Sequence, residues 1–193
     1  MLIDLFYFVI LMKNYIKYIL PFKKKFCKIE LNSRELIFLE NLVVKFLNVR
    51  DLNQLRDKFE GQAFLDNYIQ KALPLMALQK YLKEDLIDFE SISPAKIKSN
   101  IIIDNILVNI IQFGNHLPLV DTSQNMPCIF IHTTQKQVLE ICGFISAEDV
   151  KNNISDIKRY GFGSKETVKG SFYGFDKLKM FDSIEQLRNL VKH

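Results

Sequence analysis

The chain has 193 residues, of which 48% are apolar, 25% are charged and 12% are aromatic. This composition excludes an intrinsically disordered chain, and the length suffices for one domain with a sizeable core. The formal net charge is +4, but five lysines and one aspartate within the first 25 residues account for all of the excess. The rest of the chain carries 21 basic and 21 acidic side chains (26 less five, and 22 less one), which excludes a uniformly basic domain.

The first twelve residues are apolar apart from Asp4, and the first basic residue, Lys13, follows them. A secretory signal places its positive charge first, and a spanning helix needs about 20 apolar residues, so neither is predicted. Two interpretations of this segment remain. An amphipathic helix through Leu20 could contact a membrane surface peripherally, with Lys13 and Lys17 outward. Alternatively, translation starts at Met12 and the preceding residues are an upstream extension.

The three cysteines predict a reducing compartment. Cys27, Cys128 and Cys142 are odd in number, widely spaced and free of any C-x-x-C pattern. Free, buried thiols are therefore expected, and metal ligation is not. Because no secretory signal is predicted either, we expect a cytoplasmic location, and the residues suggest no cofactor.

Helical patterns dominate the first half of the chain. Residues 24–31 predict a short edge strand, and Asn32-Ser33-Arg34-Glu35 then has the pattern of a capping box. A helix with a leucine-rich stripe should follow to about residue 47, and Asp51 should cap a short helix through residue 59. A second stripe covers residues 62–83. Pro74 lies inside this stripe and predicts either a kink or two abutting helices, 62–72 and 75–83.

The stretch between residues 97 and 144 predicts four short strands. Runs such as Ile101-Ile102-Ile103 and Ile129-Phe130-Ile131 have strand length and are bounded by turn residues. Their continuous apolar character predicts a sheet covered on both faces. Asp104-Asn105 tolerates positive φ and predicts an antiparallel hairpin, and Gln135-Lys136-Gln137 should join the last two strands similarly. The predicted strands are residues 97–104, 106–113, 128–133 and 138–144.

The C-terminal part predicts helix, loop and helix. A helix should begin at Ser146, and another should cover residues 183–191. Between them, residues 152–169 are polar, and four of the seven glycines lie between residues 161 and 174, so this region is predicted to be a loop. The whole chain therefore predicts an α/β fold in an α+β arrangement. Its N-terminal helices should pack on a four-stranded, mainly antiparallel sheet. Residues 1–25 would be an extension, and residues 26–193 a single domain.

The glycine-rich region carries the strongest candidate for binding. Between residues 151 and 179, seven basic residues stand against three acidic ones, and aromatic residues are interleaved with them. Cations beside exposed aromatics suit phosphate neutralisation and base stacking in nucleic acids. The alternative is a surface loop that packs Phe172, Tyr173 and Phe175 against the sheet. The predicted nucleic-acid-binding residues are Lys158, Arg159, Lys165, Lys169 and Tyr173.

The order of helices, strands and helix resembles the core of the PD-(D/E)XK nuclease superfamily over residues 69–150. This resemblance implies a carboxylate and a following acid-x-lysine on neighbouring strands, which together bind a divalent metal. Asp104 is the weak catalytic candidate, but Asn109 and Gln112 occupy the positions where the acid and lysine are expected. Neutral amides are poorer ligands for magnesium. We therefore predict no metal site, a turn role for Asp104, and no metal-dependent nuclease activity.

Other catalytic patterns are weaker still. His132 lies in a predicted strand, where a histidine is more often a core or edge residue than a base. The sequence Gly161-Phe162-Gly163-Ser164-Lys165 lacks the spacing and the preceding strand of a phosphate-binding P-loop. The residues therefore point away from an enzyme. Two function classes stay open: a nucleic-acid-associated protein with a degenerate nuclease-like core, and a protein-interaction or assembly factor without catalytic activity.

Three segments also resemble uncharacterised open reading frames of cyanobacteria and of AT-rich plastid genomes of the red-algal type. These segments are residues 32–40 (NSRELIFLE), 101–105 (IIIDN) and 170–176 (GSFYGFD). The resemblance implies a protein of the plastid stroma or the cytoplasm.

Overall fold

The structure of the protein is a computed structural model, and it describes residues 13–57, 60–135, 137–160 and 167–192. Helices and strands are mixed along the chain, which confirms the predicted α+β arrangement. Residues 13–18 are helical. The remaining α-helices are α1 (Ser33–Phe46), α2 (Leu52–Asp57), α3 (Gly61–Leu82), α4 (Ala147–Asn152) and α5 (Ile184–Lys192), and 3-10 helices lie at Leu20–Lys25, Pro94–Lys96 and Phe175–Lys177.

The described strands form two sheets. The larger sheet has five strands in the order β1-β6-β5-β3-β2, and every neighbouring pair is antiparallel except β3 with β5. The smaller sheet is antiparallel in the order β4-β8-β7. The strands are β1 (Cys27–Glu30), β2 (Asn100–Ile103), β3 (Ile106–Phe113), β4 (Leu119–Asp121), β5 (Cys128–Gln135), β6 (Val138–Ile145), β7 (Ile154–Tyr160) and β8 (Thr167–Phe172).

The four predicted strands all lie in the larger sheet, with the predicted edge strand β1 as its fifth member. Asp104 and Asn105 have φ values of 47° and 67°, and they connect β2 to β3 as the predicted hairpin turn. Positive φ at both positions is what a type I′ turn requires. The first of the four predicted strands, β2, begins at Asn100 rather than at residue 97, and residues 97–99 connect it to the 3-10 helix Pro94–Lys96.

Helices α1 and α3 cover one face of the larger sheet. The capping box is confirmed, since the Glu35 amide donates to Asn32 Oδ1 at 3.0 Å and the Asn32 amide donates to Glu35 Oε2 at 2.6 Å. Leu39 and Leu78 from the two helical stripes are fully buried in this core. Helix α3 runs unbroken through the buried Pro74, so the alternative of two separate helices is wrong.

The other face of the sheet packs against the smaller sheet. Side chains alternate along β5: Ile129 and Ile131 belong to the helical core, whereas Phe130 belongs to a second core. In this second core, the Phe130 ring stacks on Phe172 of β8 with 4.4 Å between the ring centroids. The predicted covering of the sheet on both faces is therefore confirmed.

The predicted C-terminal loop is wrong over most of its length. β7 and β8 form a hairpin that joins β4 in the smaller sheet. The residues of β7 from Ser155 to Tyr160 are exposed, so they lack the apolar and polar alternation by which a half-buried strand is recognised. Strand β4 has three residues, which is too short to leave a periodic pattern.

The described part of the expected N-terminal extension packs on the domain. Ile19 is fully buried in the second core, and Tyr15, Tyr18 and Phe22 lie against it. Lys13 and Lys17 are exposed, as expected of the helical interpretation. The first twelve residues, on which the choice between the two interpretations depends, lie outside the described residues. Within the described part of the chain, no helix is both long enough and apolar enough to cross a membrane.

Candidate nucleic-acid interface

The hairpin of β7 and β8, called the ribbon below, carries most of the predicted binding residues. Lys158 and Arg159 lie on β7 and Lys169 lies on β8. None of these three cations forms an ion pair with a described residue. The tip between the strands, residues 161–166, lies outside the described residues, and the predicted Lys165 lies there with it.

A buried glycine fixes how the strands of the ribbon approach each other. The pairing register shifts between Ser155 and Lys158, and Asp156 within this bulge has a φ of 54°. A Cβ on Gly170 would lie 2.0 Å from Ile154 Cγ2, so the bulge can close over this position only because it lacks a side chain. The base of the ribbon is held by Phe172, which is fully buried.

The register places two lysines directly opposite each other. Lys158 pairs with Lys169, and Tyr160 pairs with Thr167 two residues further along. Because side chains alternate along a strand, Lys158, Lys169 and Tyr160 share one face of the ribbon. The Lys169 ammonium lies 6.0 Å from the Tyr160 ring centroid, which agrees with this arrangement. Arg159 is directed to the opposite face.

Each face of the ribbon borders a concave space. The lysine face borders a space of about 290 Å³, called the ribbon pocket below, whose lining includes His116, Leu119, Asp156, Lys158, Tyr160 and Ser171. The opposite face borders a space of about 490 Å³ between the β4–β5 loop, α4 and β7. Ile157 is 60% exposed and lines the larger space. The two faces therefore differ in character, because the first is cationic and aromatic and the second includes an exposed apolar side chain.

Tyr173 lies at the base of the ribbon. Its hydroxyl donates to Asp156 Oδ2, and its ring packs edge-on against Tyr18 with 4.8 Å between the centroids. Burial, followed by the hydrogen bond to Asp156, raises the pKa of Tyr173. Phe172 and Phe175 are both buried, as the packed-loop alternative required of them, and Tyr173 is half-buried.

The weak catalytic candidate, Asp104, lies at an exposed hairpin turn. Its carboxylate oxygens lie 2.8 Å from Lys192 Nζ and 3.5 Å from Arg188 Nε, both on α5. The hydrogen bond from Lys192 holds the pKa of this carboxyl group below its usual value. On the neighbouring strand, Gln112 donates from Nε2 to Thr133 Oγ1 at 2.8 Å. Asp104 is therefore engaged by cations of the protein itself.

No protein-family model, curated protein or solved structure matches this chain. The described residues contain no group of three or more histidine, cysteine, aspartate or glutamate side chains arranged to hold a metal ion. Of the five predicted binding residues, the ribbon brings Lys158 and Lys169 together on one face. Arg159 belongs to the other face, and Tyr173 lies at the base.

The structure also contains a polar pair, His132 and Glu140, which the sequence indicated only in part. His132 of β5 is fully buried, and its Nδ1 donates to Glu140 Oε2 of β6 at 2.8 Å. Lys23 Nζ lies 3.7 Å from the same carboxylate oxygen. Nε2 of His132 has no hydrogen-bond partner among the described residues. Burial lowers the pKa of His132; Glu140 opposes this effect, whereas Lys23 and His116 add to it.

The predicted β5–β6 hairpin contained the signal for this pair, because counting outward from its turn brings His132 opposite Glu140. The rings of Tyr15 and Phe113 close over the imidazole with centroid separations of 5.7 Å and 5.1 Å. Tyr15 comes from the N-terminal segment, and nothing in the local sequence indicates that this segment covers His132. The arrangement holds a neutral imidazole in the core beside a carboxylate.

Proposed function

We propose that the protein associates with nucleic acid through the ribbon, in the cytoplasm or the plastid stroma. The observation that carries this proposal is the opposition of Lys158 and Lys169 across the two strands. Like charges directly opposite each other destabilise a sheet. Asp121 of β4 is opposite Lys169 on its other side, but no described carboxylate lies within ion-pair distance of either lysine. A polyanion bound along this face would offset their repulsion, and phosphate groups would supply that charge.

The shape of the ribbon supports the same proposal. Beyond Lys169, where β8 no longer pairs with β4, β7 and β8 form a two-stranded ribbon. A two-stranded β-ribbon fits the major groove of duplex DNA. Arg159 on the opposite face could contact a second phosphate row. Because acidic and basic residues balance over residues 26–193, binding should be confined to the ribbon and its tip.

A salt titration tests the proposal. Neutralisation of about three phosphates predicts that log affinity falls with log salt at a slope of roughly −2 to −3. We expect measurable binding of short single- and double-stranded oligonucleotides at about 50 mM salt, and its loss in a variant with Lys158→Ala, Arg159→Ala and Lys169→Ala. The matched control replaces Lys28, Lys45 and Lys98, which are exposed and form no ion pair with a described residue.

The control variant has the same net charge as the ribbon variant, so the comparison separates a local site from a general charge effect. The proposal predicts that the control binds as the wild type does. Equal loss in both triple variants, or no binding by the wild type at low salt, would refute it.

One observation favours the interaction factor as a second candidate. Ile157 is 60% exposed and lies on the larger concave space with Ile154 and Val150. Exposed apolar patches are typical of contacts with another protein, and Ile157 with the half-buried Ile154 forms a small one. This function predicts partner binding that depends weakly on salt and that Ile157→Ser abolishes. In neither case do we propose catalysis: the nuclease-like core is proposed to be degenerate, since Asp104 is ion-paired with Lys192.

A further inference from the structure

The ribbon pocket combines an aromatic ring, an apolar wall and two cations in a small space. Tyr160 and Leu119 are both 39% exposed and both line it. Lys158 lines it directly, and Lys169 lies opposite Lys158 and over the Tyr160 ring. Exposed apolar surface bordered by cations that form no ion pair with a described residue suits a ligand with a flat apolar part and a negative part.

The size of the pocket limits that ligand. Its volume of about 290 Å³ lies just below the range of about 300–1,000 Å³ for small-molecule sites. Such a space accommodates one planar ring system, whereas a charged backbone would have to run along its rim. Lys158 lines the pocket, and Lys169 pairs with it on the same face of the ribbon, so both lysines are near the path of such a backbone.

Polar groups around the pocket can pair with the edge of such a ring. His116 Nδ1 lies 2.9 Å from the carbonyl oxygen of Leu117, and a carbonyl only accepts, so Nδ1 carries a hydrogen. When the ring is neutral, this leaves Nε2 as an acceptor. The Asn14 amide and the Ser171 hydroxyl offer donors and acceptors, and Asp156 offers a further acceptor. Hydrogen-bond donors and acceptors of this kind can pair with the polar edge of an unpaired base.

We propose that the ribbon pocket binds a single-stranded nucleic acid, with one unpaired base against Tyr160 and the flanking phosphates on Lys158 and Lys169. This inference rests on the proposed function and names the form of nucleic acid that it concerns. In a duplex the faces of the bases are already stacked, so Tyr160 could reach only their edges. In a single strand a base can turn outward and stack on an aromatic side chain.

The test compares three probes of equal length by fluorescence anisotropy: a single strand, the matching duplex, and a single strand with abasic sites. The wild type should bind the single strand most tightly. Stacking of one base corresponds to a loss of about 5- to 140-fold when the aromatic ring is removed. We therefore expect Tyr160→Ala to lose that factor on the single strand, to leave duplex affinity unchanged and to keep the salt slope, since the lysines remain.

Two further comparisons guard against a folding defect. Tyr160→Phe retains the ring and should bind the single strand as the wild type does. The abasic strand, tested on the wild type, should bind as weakly as the intact strand binds Tyr160→Ala. Equal affinity for the single strand and the duplex, or unchanged affinity of Tyr160→Ala, overturns this inference but leaves the proposed function standing. Absence of binding to every probe overturns both.

Discussion

Replacement of Phe172 by alanine should detach the smaller sheet from the larger one. Phe172 is fully buried, and its ring lies nearly parallel to Phe130, with 17° between the planes. It also packs edge-on against Phe175, with 5.6 Å between the centroids. Since Phe172 ends β8 and Phe130 lies in β5, this stack is a direct connection between the two sheets.

The expected loss is large relative to the stability of a domain. Truncation of a buried phenylalanine to alanine costs about 3–5 kcal/mol of unfolding free energy. Aromatic pairing contributes about 0.5–1.5 kcal/mol beyond the burial of area, which favours the upper part of that range. Because domains are stable by about 5–15 kcal/mol, the variant should lose about a quarter or more of its stability.

Urea unfolding followed by circular dichroism measures this loss. The chain has no tryptophan, so tyrosine fluorescence from its seven tyrosines serves as the second probe. The matched control is Phe46→Ala, because Phe46 also stacks on a ring, that of Phe64, but is 43% exposed. We expect the control to lose about 1 kcal/mol or less. A loss of similar size in both variants would refute the view that the Phe130–Phe172 stack joins the sheets.

Two further predictions concern buried and exposed charges. Because burial lowers the folded pKa of His132, the unfolded chain takes up a proton near pH 6.5 before the folded chain does, so stability should fall as the pH drops below about 6.5. Urea midpoints between pH 5 and 8 measure this, and His132→Asn should flatten the profile; an unchanged profile would refute it. We also expect no plasmid cleavage with magnesium or manganese, and cleavage that Asp104→Ala abolishes would contradict the proposed absence of catalysis.

The sequence predicted those elements that depend on neighbouring residues. The Asn32 capping box and the Asp104-Asn105 turn are local arrangements, and the structure has both. The parallel pairing of β3 with β5 was not predicted. The connection between these two strands includes β4. A local sequence pattern does not predict which strands become neighbours in a sheet.

The sequence predicted which cations belong to the candidate site, but not how they are arranged in space. Lys158 and Lys169 were recognised as cations near aromatic residues, yet their opposition follows from the pairing register of β7 and β8. That register depends on the bulge at Asp156 and on the close approach at Gly170. Tyr160 lay within the predicted stretch of cations and aromatic residues but was not among the predicted binding residues. A glycine-rich polar sequence predicts a loop, so it gave no reason to place Tyr160 on the same face as the lysines.

The partnership of β1 with β6 affects how the protein can be synthesised. Cys27 pairs with Ile141, so β1 leaves the ribosome long before β6, the strand with which it pairs. Until then, the apolar stripes of α1 and α3 lack the sheet that they cover. Non-local pairings of this kind slow folding and leave apolar surface exposed in partly made chains. Chains that end before β6 should therefore depend on chaperones or aggregate, whereas chains that end after it can complete the larger sheet.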